Sequence, residues 1–298
     1  MNISSLFKYP AYLYNPKQIF IRLARQFSVP GDSEMVCLPW GHRLLVNPRE
    51  FIGHAIWQQG IHEINVCEAI ARLVRPGDTV MDIGANIGFM TSLLAKAVGP
   101  TGEVLAFEPH PELNERLRAN ISVFSDAACG RVTAEAVALS DADGENWLMF
   151  DAATFSKNSG TAGLREASFA PGKESVKVQT RRLDSVVHDR IIGLVKIDVE
   201  GAELCVLRGA ERTLAERRIK AILYEDFKPA ESGIAEFLRG CGFSVFYLDG
   251  NLVRPQVHLV EKNFTPWRRG LDENFLAVLD SRDLFRDYRQ AGWRVFRL

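Results

Sequence analysis

From residue 78 onward the chain alternates between short apolar runs and longer segments with helical spacing. "TVMDIGA" is followed by "FMTSLLAKAV", and "EVLAFEP" by "PELNERLRANISVF". "VTAEAVALS" follows as a further strand. After an interruption come "GLVKIDVEG" with "ELCVLRGAERTLAE" and "AILYEDF" with "SGIAEFLRGC"; "FSVFYLD" and "NFLAVLD" are closing strands. Strands joined by helix-length connections are parallel neighbours with right-handed crossovers. The pattern therefore predicts an α/β fold, one mixed sheet with helices on both faces. The interruption, residues 141–185, holds "NWLMF", the Ser/Gly-rich "SKNSGTAG" and "VKVQTRRL". These read as antiparallel additions and a loop, not as a second domain.

The segment before this alternation is a preface. "MVCLPW" and "RLLVNP" predict a hairpin around Gly41, and "FIGHAIWQQG" and "INVCEAIARLV" predict helices. The expected division is a helical and hairpin extension over 1–76, a main domain over 77–280 and a basic tail over 281–298. A net charge of −1 argues against a nucleic-acid partner. Five widely spaced cysteines without a CxxC indicate neither a disulfide framework nor a zinc site, and fit a reducing compartment. No apolar run approaches the ~18 residues of a membrane span. Lys8, Pro10, Pro16 and Lys17 interrupt any signal-peptide core, so a cytoplasmic location is expected.

Residues 1–30 carry Lys8, Lys17, Arg22 and Arg25 and no acid, while Ile19, Phe20, Leu23, Ala24 and Phe27 share one helical face. Two readings stay open. The helix packs on its own domain or on a second subunit, making a homodimer, or it lies peripherally on the inner membrane face. The tail adds Arg282, Arg286, Arg289, Arg294 and Arg297 against Asp283 and Asp287, which would draw such a surface to anionic headgroups.

Between the first strand and its helix lies Gly84-Ala85-Asn86-Ile87-Gly88. Strand–glycine loop–helix is the grip of an open α/β sheet on a nucleotide-like ligand. Asn86 puts a side chain where a dinucleotide pyrophosphate requires bare backbone, which counts against an NAD-dependent oxidoreductase. Asp82, at the strand end, is placed to accept a hydrogen bond from an ammonium group. Glu108 ends the next strand, twenty positions beyond Gly88, where an acid holds ribose hydroxyls. Ribose plus an amino-acid cation, without pyrophosphate, describes S-adenosylmethionine. "VKIDVEGAE" delivers Asp198 and Glu200 at the end of the fourth strand of the alternation. If that strand flanks the first, both acids edge the same crevice. If they point away, the chain is a ligand-binding module without catalysis.

"VMDIGANIGFMTSLLA", "VLAFEPHPELNERLRANI", "AVALSDADG" and "LVKIDVEGAELCVLRGAERTL" together resemble the FkbM family of S-adenosylmethionine-dependent methyltransferases, over about residues 58–228. The resemblance implies a class I methyltransferase, Rossmann-like sheet, mostly parallel with a terminal antiparallel strand. It implies O-methylation of hydroxyls on sugars, polyketides or other secondary metabolites. By position, Asp82, Gly84, Asn86 and Gly88 would line the methionine moiety and Glu108 would hold the ribose. Ser140 and Asp141 would sit beside the adenine, and Asp198 near the transferable methyl. "WQQGIHEINV" is similar to the family's approach to the loop, which assigns Glu63 to the cofactor site.

A sugar hydroxyl is a poor acid, so a general base is required. Asp198 and Glu200 rank first because strand ends hold them rigidly; Glu63, His62 and Glu225 are alternatives. No metal is assigned. The expected partner is a small-molecule, glycan or glycolipid acceptor.

Overall fold

In a computed structural model the chain is described over residues 10–25, 27–151, 155, 163–165, 173–261, 264 and 273–298. Two short helices open it, α1 (Pro10–Tyr14) and α2 (Lys17–Arg25). The expected hairpin follows as β1 (Glu34–Cys37) and β2 (Arg43–Val46), antiparallel, with Gly41 at φ 89° in the turn. Both expected helices form, α3 (Phe51–Gln59) and α4 (Ile64–Leu73).

The alternating region gives β3 (Thr79–Ile83), α5 (Phe89–Val98), β4 (Glu103–Phe107), α6 (Pro111–Phe124) and β5 (Arg131–Glu135). β6 (Val137–Ser140) precedes the interruption, which holds β7 (Gly144–Asp151), β8 (Gly163–Arg165) and β9 (Lys173–Arg182) and runs into α7 (Leu183–Val187). Then come β10 (Ile192–Ile197), α8 (Glu203–Arg208), α9 (Glu211–Ala215), β11 (Ala221–Glu225) and α10 (Ile234–Gly240). β12 (Ser244–Gly250), β13 (Pro255–Leu259), β14 (Asn274–Val278) and α11 (Ser281–Arg289) precede a 3₁₀ turn at Arg294–Arg297.

The large sheet has the order β13-β12-β14-β11-β10-β3-β4-β5. β5, β4, β3, β10 and β11 are mutually parallel, and β14 inserts antiparallel between β11 and β12. This is the expected class I sheet. Strands buried on both faces read as near-continuous apolar runs. Val80, Val104, Leu194 and Leu223 join one apolar layer, while Met81, Leu105, Val195 and Ile222 join the other. The hairpin and α3 are not separate from this body, because Val36, Leu44 and Ile56 share a cluster with Val80 and Leu93.

Three local expectations change. "VTAEAVALS" is two strands: β5 stays in the large sheet, whereas β6 pairs parallel with β9 in a second sheet, ordered β6-β9-β7-β8. "ELCVLRGAERTLAE" breaks at Gly209 into α8 and α9. A Cβ on Gly209 would stand 2.0 Å from the Ser140 carbonyl oxygen, so the break seats the chain against β6. The strand β13 has no counterpart in the periodicity reading. "SKNSGTAG" lies outside the described residues apart from its last glycine.

The N-terminal helix is turned inside out. Gln18 is buried and donates to the Gln58 carbonyl at 3.1 Å. Arg25 donates to the Trp57 carbonyl and stacks over its ring, and Arg22 donates to the Tyr12 hydroxyl. Phe20, at 74% exposure, faces outward with Ile21 and Leu23. At the other end of the chain, Glu68 on α4 accepts from Arg72 Nε at 2.6 Å and from the backbone N–H groups of Arg294 and Val295 at 2.8 and 2.9 Å. Arg72 in turn donates to the carbonyls of Asp287, Gln290 and Gly292. This buried clasp holds the basic tail against α4. Among the described residues, no helix is long and apolar enough to cross a membrane.

Candidate active site

A cavity of about 390 Å³ opens at the carboxyl ends of β3, β4, β10 and β11. That is where strand order reverses around the first parallel strand, the usual ligand crevice of such sheets. Its floor is the turn after β3. Gly84 has φ +80°, and a Cβ there would stand 1.8 Å from the Asp198 carbonyl oxygen. Only glycine lets this loop rest on the exit of β10. Asn86 is also left-handed, at φ 49°, and its N–H donates to Glu108 Oε2 at 2.9 Å. Its side-chain oxygen accepts from the Ile87 N–H at 2.8 Å, which fixes the bend.

Glu108 lines the cavity and is buried. Burial pushes its carboxyl up to about 7, against the opposing N–H groups of His110 and Asn86. A carboxylate offers about four acceptor positions. The two backbone donors occupy half of them, which leaves two for a vicinal diol.

Two residues expected at the methionine end do not reach the wall. Asp82 is fully buried beneath the loop: it accepts from Thr91 Oγ1 at 2.6 Å and faces Lys196 Nζ at 3.8 Å. Its oxygens point into the layer between β3, α5 and β10, so it cannot receive a ligand ammonium directly. Gly88 caps α5 at φ +91°, where a Cβ would meet Leu117 Cδ1 at 2.8 Å. Gly84, Asn86 and Glu108 do line the wall.

The wall expected at Ser140 and Asp141 is likewise made by other residues. Val137, Ala138, Leu139 and Leu148 line the cavity there, and Ser140 and Asp141 do not. Because β6 leaves the large sheet after Ala136, the wall is made by the residues just before Ser140. The Ser140 hydroxyl donates instead to Asp141 at 3.3 Å.

At the far end the cavity gathers Glu63, Asp198, Glu200 and Glu225, with His62 beside them. All five residues weighed as the base therefore stand on one wall. Glu63 is left-handed at φ 47°, and Asn274 Nδ2 donates to its carboxylate at 3.2 Å. Asn274 is opposite Glu225 in the antiparallel register, so β14 braces this corner. Glu200 is left-handed at φ 54°, just past the strand end.

The electrostatics follow from burial first and from crowding second. Burial, then the charge of Asp198, raises Glu63. Burial, then Asp198 and Glu203, pushes Glu200 up to about 7. Burial, then Asp198, Glu63 and Glu200, pushes Glu225 up to about 9. Sequence reasoning assigned no role to Lys196. It donates to Asp198 Oδ2 at 2.9 Å and lies beside Asp82 across the parallel register. Burial alone would lower its pKa, but Asp198, Asp82 and Glu63 outweigh that and hold it charged. A single lysine inside the apolar run "GLVKIDV" was the available signal. Phe51 and Phe227, also unassigned, line the cavity at 64% and 62% exposure and form its apolar lip.

Comparisons with known proteins agree with this geometry. The sequence profile of the methyltransferase FkbM domain matches residues 82–245. The 31-O-demethyl-FK506 methyltransferase FkbM of Streptomyces tacrolimicus is 34% identical over 200 residues, 58% of this chain and 75% of its own. The 2-O-methyltransferase NoeI of Sinorhizobium fredii is 26% identical over 175 residues, 53% of this chain and 68% of its own. The hexuronic acid methyltransferase AglP of Haloferax volcanii is 29% identical over 155 residues, 51% of this chain and 58% of its own.

Proposed function

The chain belongs to the FkbM family of S-adenosylmethionine-dependent methyltransferases, and from that premise we propose that it methylates a hydroxyl of a sugar-containing, lipid-linked or secondary-metabolite acceptor. The residues present fit the cofactor. Glu108 has two free acceptor positions for the ribose hydroxyls, and the Gly84–Ile87 backbone borders the methionine end. Val137, Ala138, Leu139 and Leu148 give the base an apolar slot, and the acid cluster suits a cation. When bound, S-adenosylmethionine supplies an electrophilic methyl group on a sulfonium.

One observation carries the O-directed reading: a carboxyl on the cavity wall, Glu200, is tuned to about 7. A base is most effective when its pKa lies near the working pH, and a hydroxyl needs one. Glu200 takes the hydroxyl proton on its carboxylate. Asp198, held by Lys196, positions the acceptor and keeps the local charge negative. Both acids line the cavity, which favours an enzyme over a binding module. The aromatic lip narrows water's access.

The test is a panel of glycosides and polyketide alcohols with methyl-labelled S-adenosylmethionine, the product located by mass spectrometry. Glu200→Gln should lower turnover at least about 100-fold while leaving S-adenosylhomocysteine binding intact. Label on nitrogen, or wild-type turnover in that variant, overturns the reading.

A lipid-linked acceptor is favoured by the outward apolar face of α2, Phe20, Ile21 and Leu23, on a segment that carries basic residues and no acid of its own. Co-sedimentation with anionic vesicles, lost in Phe20→Glu, supports it. A stable dimer without vesicle binding assigns the face to a second subunit instead.

A further inference from the structure

Outside the cavity lining, three metal-ligating side chains meet, two of them from one turn far along the sequence from the third. His42 follows the hairpin turn; Asp126 and Cys129 lie in the turn after α6. Their ligand atoms all lie within 4.8 Å of one another. Cys129 Sγ is 3.0 Å from His42 Nε2. Both of these residues are buried, whereas Asp126 is exposed.

Each donor is held by its own support. The His42 ring stacks on Phe124, with centroids 5.5 Å apart and planes 10° apart. The Asp126 carboxylate accepts from the Ala128 N–H at 2.7 Å, and the Cys129 N–H donates to the Asp126 carbonyl at 3.1 Å. Gly130 then anchors the turn to α5 through the Ala95 carbonyl at 2.9 Å. Imidazole, thiolate and carboxylate converging on one point make a mixed N, S, O donor set. That set suits a borderline divalent cation of the zinc type rather than magnesium or calcium, which take oxygen alone.

We propose that His42 Nε2, Cys129 Sγ and an Asp126 carboxylate oxygen form a zinc-type metal site that clasps the β1–β2 hairpin to the methyltransferase core. Bonds of about 2.0 Å to nitrogen and 2.3 Å to sulfur at a tetrahedral angle place those two atoms about 3.5 Å apart. The observed 3.0 Å therefore opens by roughly half an ångström on binding. Asp126 lies at the solvent edge, so the fourth position falls to water. As the sulfur–metal bond forms, the Sγ–H bond breaks and its proton leaves to solvent, one proton per ion. Lys96 is close enough for its charge to be felt at His42. The site therefore binds more weakly than a closed four-ligand zinc centre. No sequence spacing advertises it, because the hairpin histidine stands 87 positions from the cysteine.

The experiment is titration of metal-stripped full-length protein with Co²⁺. The expected result is saturation at one equivalent, with a near-ultraviolet sulfur-to-cobalt band and visible bands of tetrahedral intensity. Zn²⁺ should bleach both and raise Tm. Cys129→Ser should abolish the sulfur band, Asp126→Asn, at an exposed position, should weaken binding at least tenfold, and Cys37→Ser, at an exposed cysteine, should change nothing. Absence of a sulfur band in the wild type, or a band that survives Cys129→Ser, overturns the proposal. Should Cys129→Ser fail to fold, unaltered affinity in Asp126→Asn overturns it equally.

Discussion

Replacing Lys196 by Met tests whether the acid wall depends on the cation beneath it. The Lys196 side chain is 7% exposed, donates to Asp198 at 2.9 Å and lies 3.8 Å from fully buried Asp82. Removing one partner of a buried charge network costs about 3–5 kcal/mol, because the remaining charges lose their compensation. Asp82 suffers most: Thr91 becomes its remaining donor, and its carboxyl must bind a proton to stay buried. Its folded pKa, already raised chiefly by burial, then rises further. An acid with a raised folded pKa contributes stability that is complete below its unfolded value, about 3.9 for Asp. That contribution is lost as pH rises through the folded value. The deficit of Lys196→Met against wild type should therefore be smallest near pH ~4 and grow toward pH ~8. Urea unfolding across that range measures it. Adding Asp82→Asn to Lys196→Met should recover part of the loss, since neither group is then left charged alone. A deficit under about 1 kcal/mol at neutral pH, or one that does not vary with pH, would refute the account.

Three further outcomes are expected. Glu108→Gln should weaken both S-adenosylmethionine and S-adenosylhomocysteine by about 1.5–3 kcal/mol, the worth of a charge-assisted hydrogen bond, and calorimetry will show it. Glu225, pushed up to about 9, stabilises the ligand-free fold fully below its unfolded value and loses that contribution as pH rises through 9. The urea midpoint should therefore fall toward alkaline pH, and Glu225→Gln should flatten the curve. Glu68→Gln leaves Arg72 charged and buried without its carboxylate, so stability should drop by about 3–5 kcal/mol, and trypsin should release the tail faster.

What the sequence disclosed and what it hid have separate physical causes. Parallel strands covered on both faces are apolar throughout, so β3, β4, β10 and β11 were legible, and strand ends gave Glu108, Asp198 and Glu200. The direction a side chain takes from a strand end was not. Asp82 is buried beneath the loop because it lies in register with Lys196, which reaches from beneath it to Asp198 on the wall, and register is a property of the sheet. The break between β5 and β6 was hidden for the same reason: Val137–Leu139 are as apolar as the strand before them, and only pairing with β9 moves them to another sheet. The tail clasp joins residues up to 227 positions apart. Neither α4 nor the tail is unusual alone.

These hidden elements bear on how such a site can exist. A pocket for a sulfonium needs negative charge, yet acids gathered at its wall resist ionisation, first because they are buried and then because they repel one another, and Glu63, Glu200 and Glu225 are raised accordingly. A cation in the middle of the cavity would cancel the attraction for the ligand. Lys196 sits at the base of the wall, bonded to Asp198 and facing Asp82, where it relieves the repulsion without presenting its ammonium to the mouth. The remaining wall acids are left to answer to whatever charge enters. A sulfonium should pull their pKa values down and draw protons off them, whereas the neutral sulfur of S-adenosylhomocysteine should not. The ratio of the two affinities is therefore expected to shift toward S-adenosylmethionine as pH rises through about 7, the value to which Glu200 is tuned. Paired calorimetric titrations across that range would read it directly, and a ratio independent of pH would mean the acids do not face the sulfur.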